Sequence, residues 1–214
     1  MISYTQKEAG FNSSIKETIL KVDAPEAIYS LCNRLTKYLV VEGKKDVILA
    51  DTSVKLMQKL HQMYSGTVKF ESGNSMVLDT FKAQYIYDNF CNHKIGIFYK
   101  FKEELNALKQ VYGEHICTDL ETFESTDKSI ALQIVSGREG ISLRKAKYLV
   151  YYNIDFSATS YWQSRDRMTT KDRLQNEIFW VFTSKGIEDK IYKAVIQKKD
   201  YTLKHFKKDL LTLN

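Results

Sequence analysis

Three absences bound what this 214-residue chain can do by itself. No segment matches G-x-x-x-x-G-K-[ST], the loop whose backbone amides and lysine surround a nucleotide's phosphates. The nearest approach, Glu42-Gly43-Lys44-Lys45, has no upstream glycine and no Ser or Thr to hold magnesium. No strand ends in the paired acids that would position that metal, and no G-x-G-x-x-G fingerprint is present. The chain alone is therefore expected not to hydrolyse ATP, and a dinucleotide-binding reading has no support.

Cysteine and proline are scarce as well. Cys32, Cys91 and Cys117 lie far apart with no C-x-x-C pair, which argues against a zinc ribbon or a disulfide framework and suits a reducing cytosol. His61, His93, His115 and His205 are scattered without ligand spacing, so no metal site is expected. Pro25 is the only proline, so no Pro-rich linker divides the chain. No run approaches the roughly 18 apolar residues of a membrane span. The opening Met1-Ile-Ser-Tyr-Thr-Gln-Lys-Glu8 lacks the apolar core of a signal peptide. A soluble cytoplasmic protein with no membrane partner is expected.

What is present is ordinary globular material, 43% hydrophobic and 27% charged, which argues against disorder. The net charge of +6 and pI near 9.0 favour polyanionic partners without establishing one. Residues 1–80 read as a helical lead-in with a small hairpin. Asp23-Ala-Pro-Glu26 has the form of a capping box, followed by a stripe of Ile28, Leu31, Leu35 and Leu39. Val47–Ala50 reads as a short strand, Thr52–Tyr64 as a second helix, and Thr67–Phe70 with Met76–Leu78 as the hairpin. Residues 81–214 alternate strand and helix. Strands are expected at Lys94–Phe98, His115–Thr118, Ile130–Val135, Tyr148–Tyr152 and Ile178–Phe182. Helices are expected through Ala83–Phe90, Glu103–Tyr112, Thr159–Met168, Ile187–Gln197 and Tyr201–Leu211. This order implies an α/β fold with right-handed crossovers and a mainly parallel sheet. Ligands of such sheets bind at the strands' carboxyl ends, here the loops from Tyr99, Thr118, Ser136, Asn153 and Thr183.

Three segments could carry chemistry. Ile134–Leu143 follows a strand and places Gly137 and Gly140 three apart, where glycine admits close backbone approach to a phosphate; a plain strand-to-helix turn would hold the same glycines. Tyr161-Trp-Gln-Ser-Arg-Asp-Arg167 should lie on one helix, with Gln163 and Arg167 on a shared face and Arg165 pointing elsewhere. An arginine there suits a γ-phosphate, because its guanidinium is always cationic and forks to two oxygens. A salt-bridged solvated helix is the bland alternative. Basic and aromatic residues interleave at Tyr99-Lys-Phe-Lys102 and from Lys190 to Lys208. Phosphate tracking would use them, as would an amphipathic helix start and a solvated tail.

Taken in order, these segments resemble the C-terminal RecA-like lobe of superfamily two helicases, most closely the Swi/Snf-type translocases of bacteriophages. Lys94–Phe101 resembles helicase motif four, Ser136–Leu143 motif five and Tyr161–Arg167 motif six. Val54–Gly66 is similar to the segment preceding this lobe. The resemblance covers about Val47 to the C-terminus and places Asn214 near the end of the parent protein. It implies a RecA-like sheet flanked by helices, the fold of P-loop NTPases, with ATP and Mg2+ bound only once a missing N-terminal lobe completes the cleft. That lobe would come from the same parent chain or from a split partner. By the same resemblance, Arg167 is the first arginine finger, with Gln163 beside it. The second finger's place falls near Thr170, with Lys171 next to it, so that role is altered or lost here, and Arg165 is one candidate to take it over. Gly137, Glu139 and Gly140 would border ATP. Ser136, Arg138, Lys100, Lys102 and Thr118 would touch the backbone of duplex DNA.

Two other classes stay open. A nucleic-acid-binding or regulatory module could keep this fold without meeting ATP, and the altered second finger favours it. A stand-alone α/β enzyme such as a methyltransferase would want a glycine-rich loop after the first strand, whereas Gly96 sits inside one.

Overall fold

The computed structural model describes residues 14–43, 46–135, 141–165 and 175–211. Its organising element is a six-stranded sheet in the order β1-β10-β9-β6-β8-β7, every neighbouring pair parallel. These strands are β1 (Ser14–Val22), β6 (Ile95–Tyr99), β7 (Ile116–Cys117), β8 (Ser129–Gln133), β9 (Tyr148–Tyr151) and β10 (Gln175–Thr183). From α3 onward the helices that separate and follow them are α3 (Phe81–Phe90), α4 (Lys102–Tyr112), α5 (Leu120–Ser125), α6 (Ala158–Arg165), α7 (Glu188–Val195) and α8 (Leu203–Leu211). The central strands read as continuous apolar runs because both faces are covered. Ile95, Ile97, Val150, Tyr152 and Val181 point to the layer built with α3 and α4. Phe98, Leu149, Tyr151, Ile178, Trp180 and Phe182 point to the other layer.

The alternating α/β architecture expected from the sequence is the one observed, but the first third holds a strand the sequence does not announce. Residues 14–22 form edge strand β1, which pairs with β10 from Ser14↔Gln175 to Val22↔Thr183. The rest of that third is α1 (Glu26–Tyr38), an antiparallel pair β2 (Val40–Glu42) and β3 (Val47–Leu49), α2 (Ser53–Tyr64), and a hairpin of β4 (Thr67–Lys69) and β5 (Ser75–Val77). Its apolar side chains join the core layer of Phe98 and Trp180.

Two details of α1 differ from the sequence reading. Pro25 is itself the N-cap, with ψ at 147°, and no side chain caps the helix. Asp23 lies two residues before that cap, too far upstream for the capping geometry. The buried face is Ile28, Cys32 and Leu35, while Leu39 ends the helix in a left-handed conformation (φ 60°) and is 42% exposed. For α2 the reading holds: Thr52 caps it by accepting from the Lys55 amide at 3.2 Å. The turn after α2 requires Gly66. Its φ is +82°, and a Cβ there would lie 2.4 Å from the Asp79 carbonyl oxygen.

Candidate functional site

The carboxyl edge of the sheet is where the chain's unusual polar groups gather. α2 packs against part of it through a buried chain of hydrogen bonds. His61 Nε2 meets Asn153 Oδ1 at 2.5 Å, and Asn153 Nδ2 donates to Glu104 Oε1 at 2.5 Å. Glu104 Oε2 accepts the Lys100 and Phe101 amides at 2.7 and 2.9 Å, closing the first turn of α4. The Tyr152 hydroxyl donates to the Ser65 carbonyl at 3.0 Å. His61 also packs against the Phe101 and Phe156 rings, at 5.2 and 4.8 Å. The lead-in thus bonds directly to the chain after β9 and reaches the loop after β6 through Asn153, Glu104 and the Phe101 ring.

Burial holds the His61 imidazole well below its ordinary range, reinforced by the Lys100 and Lys82 charges against the opposing hydrogen bond to Asn153. Burial pushes the Glu104 carboxyl up, opposed by the Asn153, Phe101, Ser65 and Lys100 bonds. The signs fix a pH response. Below the ordinary histidine value of 6.5 the unfolded chain takes up a proton that folded His61 refuses. The His61 contribution is therefore complete above pH 6.5 and is lost as pH falls toward the depressed folded value. The slope is at most about 1.4 kcal/mol per pH unit. Glu104 works in the opposite sense, losing stability as pH rises above 4.5. Urea midpoints at about pH 7 and about pH 5 are expected to fall less on acidification in His61→Gln than in the parent chain. An equal fall would assign the effect elsewhere.

Lys100 is committed. Its ammonium pairs with Asp155, lies 4.2 Å from the Phe156 ring centroid, and is only 14% exposed. Burial raises the Asp155 carboxyl, but the Lys100 charge together with hydrogen bonds from Lys100, Ser160 and the Phe156 amide outweighs it and holds Asp155 below the ordinary range. Lys102 is exposed at the start of α4, and Thr118 is exposed just past β7. Both stand at the carboxyl edge. Ser136, Gly137, Arg138, Glu139 and Gly140 lie outside the described residues, as do Arg167, Thr170 and Lys171.

The described part of the Tyr161–Arg167 segment lies in α6. Tyr161 and Ser164 face inward, where Ser164 Oγ accepts the Tyr151 hydroxyl at 2.7 Å, while Gln163 is exposed. Arg165 folds back over the Trp162 and Tyr161 rings at 4.7 and 5.5 Å, and its Nη2 pairs with Glu17 at 2.8 Å. Glu17, on β1, also accepts from the Tyr161 hydroxyl at 3.0 Å, the Trp180 indole at 2.9 Å and the Tyr192 hydroxyl at 3.2 Å. One carboxylate thereby ties the edge strand to α6, β10 and α7. Helical spacing puts Arg165 off the Gln163 face, and the structure does the same. Glu17 and Asp155 escape a sequence reading because each pairs across a long loop of chain and neither sits in a motif. Alternating charge and apolar residues in Ser14–Val22 are the only local signal for the strand carrying Glu17.

No protein-family model matches the chain, and no curated protein does. Solved structures do. The Sulfolobus solfataricus SWI2/SNF2 ATPase core domain superposes with a TM-score of 0.59 at 14% identity, covering 86% of this chain and 43% of that one. The Sulfolobus solfataricus SWI2/SNF2 ATPase core in complex with dsDNA gives 0.55 at 14% identity, covering 86% of this chain and 44% of that one. The C-terminal part of the Fun30 ATPase domain matches at 17% identity over 84% of this chain and 55% of that one, but its TM-score of 0.45 is too low to weigh. At these identities the likeness speaks for the fold. It is the RecA-like α/β fold found in SWI2/SNF2 ATPase cores, and this chain spans less than half the length of the two Sulfolobus cores.

Proposed function

We propose that this chain is the second motor lobe of an ATP-driven DNA translocase of Swi/Snf type, inactive until a first lobe supplies the phosphate loop. One observation carries the reading: 86% of the chain superposes on a SWI2/SNF2 ATPase core of which it covers only 43%. The sequence fits a half-site, since Gln163 and Arg167 stand in order at the motif-six positions while no phosphate-cradling loop is present. In this reading the first lobe, from the same parent chain or a split partner, holds ATP and Mg2+. Arg167 reaches the γ-phosphate, and Gly137, Glu139 and Gly140 border the nucleotide. Arg165 is paired with Glu17, anchors α6, and would serve as the second finger only by leaving that pair. Duplex DNA is the polymer tracked, through Lys102, Thr118, Ser136 and Arg138. A solved neighbour of the same fold is a complex with dsDNA, which supports that choice. A bacterial host's cytoplasm is the expected setting. Lys100, which the sequence places with these residues, is held by Asp155 and would join them only by leaving that pair.

A second reading, a binding module that keeps the fold without ATP chemistry, draws on Thr170 at the second finger's place. Steady-state ATP turnover separates the two. The isolated chain should give none, with or without duplex DNA, and adding a first lobe that carries a phosphate loop should restore DNA-stimulated turnover. Robust turnover by the isolated chain would overturn the half-site reading. Silence of the completed pair, with DNA still bound, would favour the binding module.

A further inference from the structure

We infer that the outer face of α7 and α8 is a docking surface for the phosphate backbone of duplex DNA. The inference rests on the motor-lobe reading for its choice of polyanion. Its basis is the distribution of charge. Residues 190–210 hold seven lysines against two aspartates, a net of +5 in a chain whose total is +6. Both aspartates are spent on the fold. Asp200 accepts the Ala158 amide at 2.8 Å, and Asp209 accepts the Tyr201 hydroxyl at 2.6 Å. Lys193, Lys198, Lys199, Lys204, Lys207 and Lys208 are all exposed. Among the described residues no ion pair holds any of them, in contrast to Lys21, Lys55, Lys59, Lys82, Lys100 and Lys145.

The arrangement along α8 is that of a contact face. Lys204, Lys207 and Lys208 sit at i, i+3 and i+4 and share one side of the helix. Like charges at that spacing repel, so the pattern works against the helix unless an anion meets it. Phe206 is buried and Leu203 and Leu210 are half-buried on the opposite side. With its apolar face turned into the protein, α8 has nothing to insert into a lipid surface, which favours a nucleic acid over a membrane.

Position completes the argument. The Tyr201 amide donates to the Phe156 carbonyl at 2.8 Å, which brings the start of α8 to the loop after β9 at the carboxyl edge. Lys198 lies 5.6 Å from the Trp162 ring centroid. There Ala158, Thr159, Trp162, Gln163 and Lys198 line a groove of about 370 Å³, so the lysine face runs into the exposed side of α6.

The test is the salt dependence of binding by the full chain to a duplex of about 20 base pairs, read by fluorescence anisotropy. Lys204→Gln, Lys207→Gln and Lys208→Gln combined should weaken binding more than about tenfold. The plot of log affinity against log salt should become shallower by about 2.7, roughly 0.9 for each phosphate no longer neutralised. A charge-matched control replaces Lys37, Lys69 and Lys109 with Gln and should bind much as the parent does. Circular dichroism of both variants checks that each still folds. Unchanged affinity and slope in the tail variant, an equal loss in the control, or binding to phosphatidylserine vesicles in place of DNA would each overturn the inference. The motor reading fails separately. DNA-stimulated turnover in a completed protein that the tail variant leaves intact sinks this surface alone. Tail-dependent DNA binding in a completed protein that never turns over ATP sinks the motor alone.

Discussion

In a protein completed by a first lobe, Arg167→Ala is expected to lower DNA-stimulated ATP turnover about a thousandfold. The size follows from the chemistry of phosphoryl transfer, in which the protein mainly positions groups and stabilises spreading negative charge. A thousandfold loss is about 4 kcal/mol of transition-state stabilisation. A lysine should restore only part of it, because a compact ammonium does not fork to two phosphate oxygens as the guanidinium does. Arg165→Ala gives the contrast. It would leave Glu17 with only its Tyr161, Trp180 and Tyr192 donors and expose the Trp162 ring, so it should reduce stability before it reduces turnover in the folded fraction. Single-turnover kinetics on both variants, normalised to folded protein, decide the matter. Unimpaired turnover in Arg167→Ala would remove the finger from the mechanism.

The largest expected loss of stability comes from Lys82→Met. Lys82 on α3 and Glu188 on α7 are both fully buried, with Lys82 Nζ 2.9 Å from Glu188 Oε1. The Lys82 ammonium also lies 5.4 Å from the Tyr152 ring centroid. The carboxylate has little else: its Oε1 receives a long bond of 3.5 Å from the Thr183 amide, and its Oε2 has no hydrogen-bond partner among the described residues. Gly186 makes room for it, since a Cβ there would stand 2.1 Å from Oε2. Removing the lysine leaves a buried charge uncompensated, at a cost of about 3–5 kcal/mol. In a chain of this size that lowers Tm by about 10 °C. Lys82→Met combined with Glu188→Gln should recover most of the loss, because desolvating the two charges offsets much of what the pair contributes. Urea denaturation of the three proteins reads both quantities. A single variant as stable as the parent would mean that water reaches the pair.

Local pattern carries most of the fold. The apolar runs at Ile95–Phe98, Ile130–Leu132, Leu149–Tyr151 and Ile178–Phe182 lie in strands covered on both faces, which is the one strand type that shows as a continuous run. Edge strand β1 does not show, because Lys16, Glu17 and Lys21 interrupt it and its sheet partner among the described residues lies at the far end of the chain. The α5 helix, six residues long, is too short for a periodic signal. In the candidate site, segment order singles out Gln163, Lys102 and Thr118, and all three are exposed. What each charge meets is not legible. Lys100 and Asp155 are separated by 55 residues and Glu17 from Tyr161 by 144, distances over which sequence spacing carries no geometric information.

The pairing of β1 with β10 also bears on how the molecule is made. Ser14 takes its register from Gln175, so the strand synthesised first among the six must wait for the one synthesised last. At about 5–20 residues per second, ribosomal elongation leaves β1 without its neighbour for roughly 8–30 s. During that interval Ile15, Ile19 and Leu20 have no sheet to cover them, and Glu17 has neither Trp180 nor Tyr192 to receive. The final closure is a long-range event of high contact order, which makes it slow relative to helix formation. A nascent chain stalled before residue 175 would therefore present an open β9 edge and an unpaired β1, two surfaces that chaperones and other copies of the chain can both recognise.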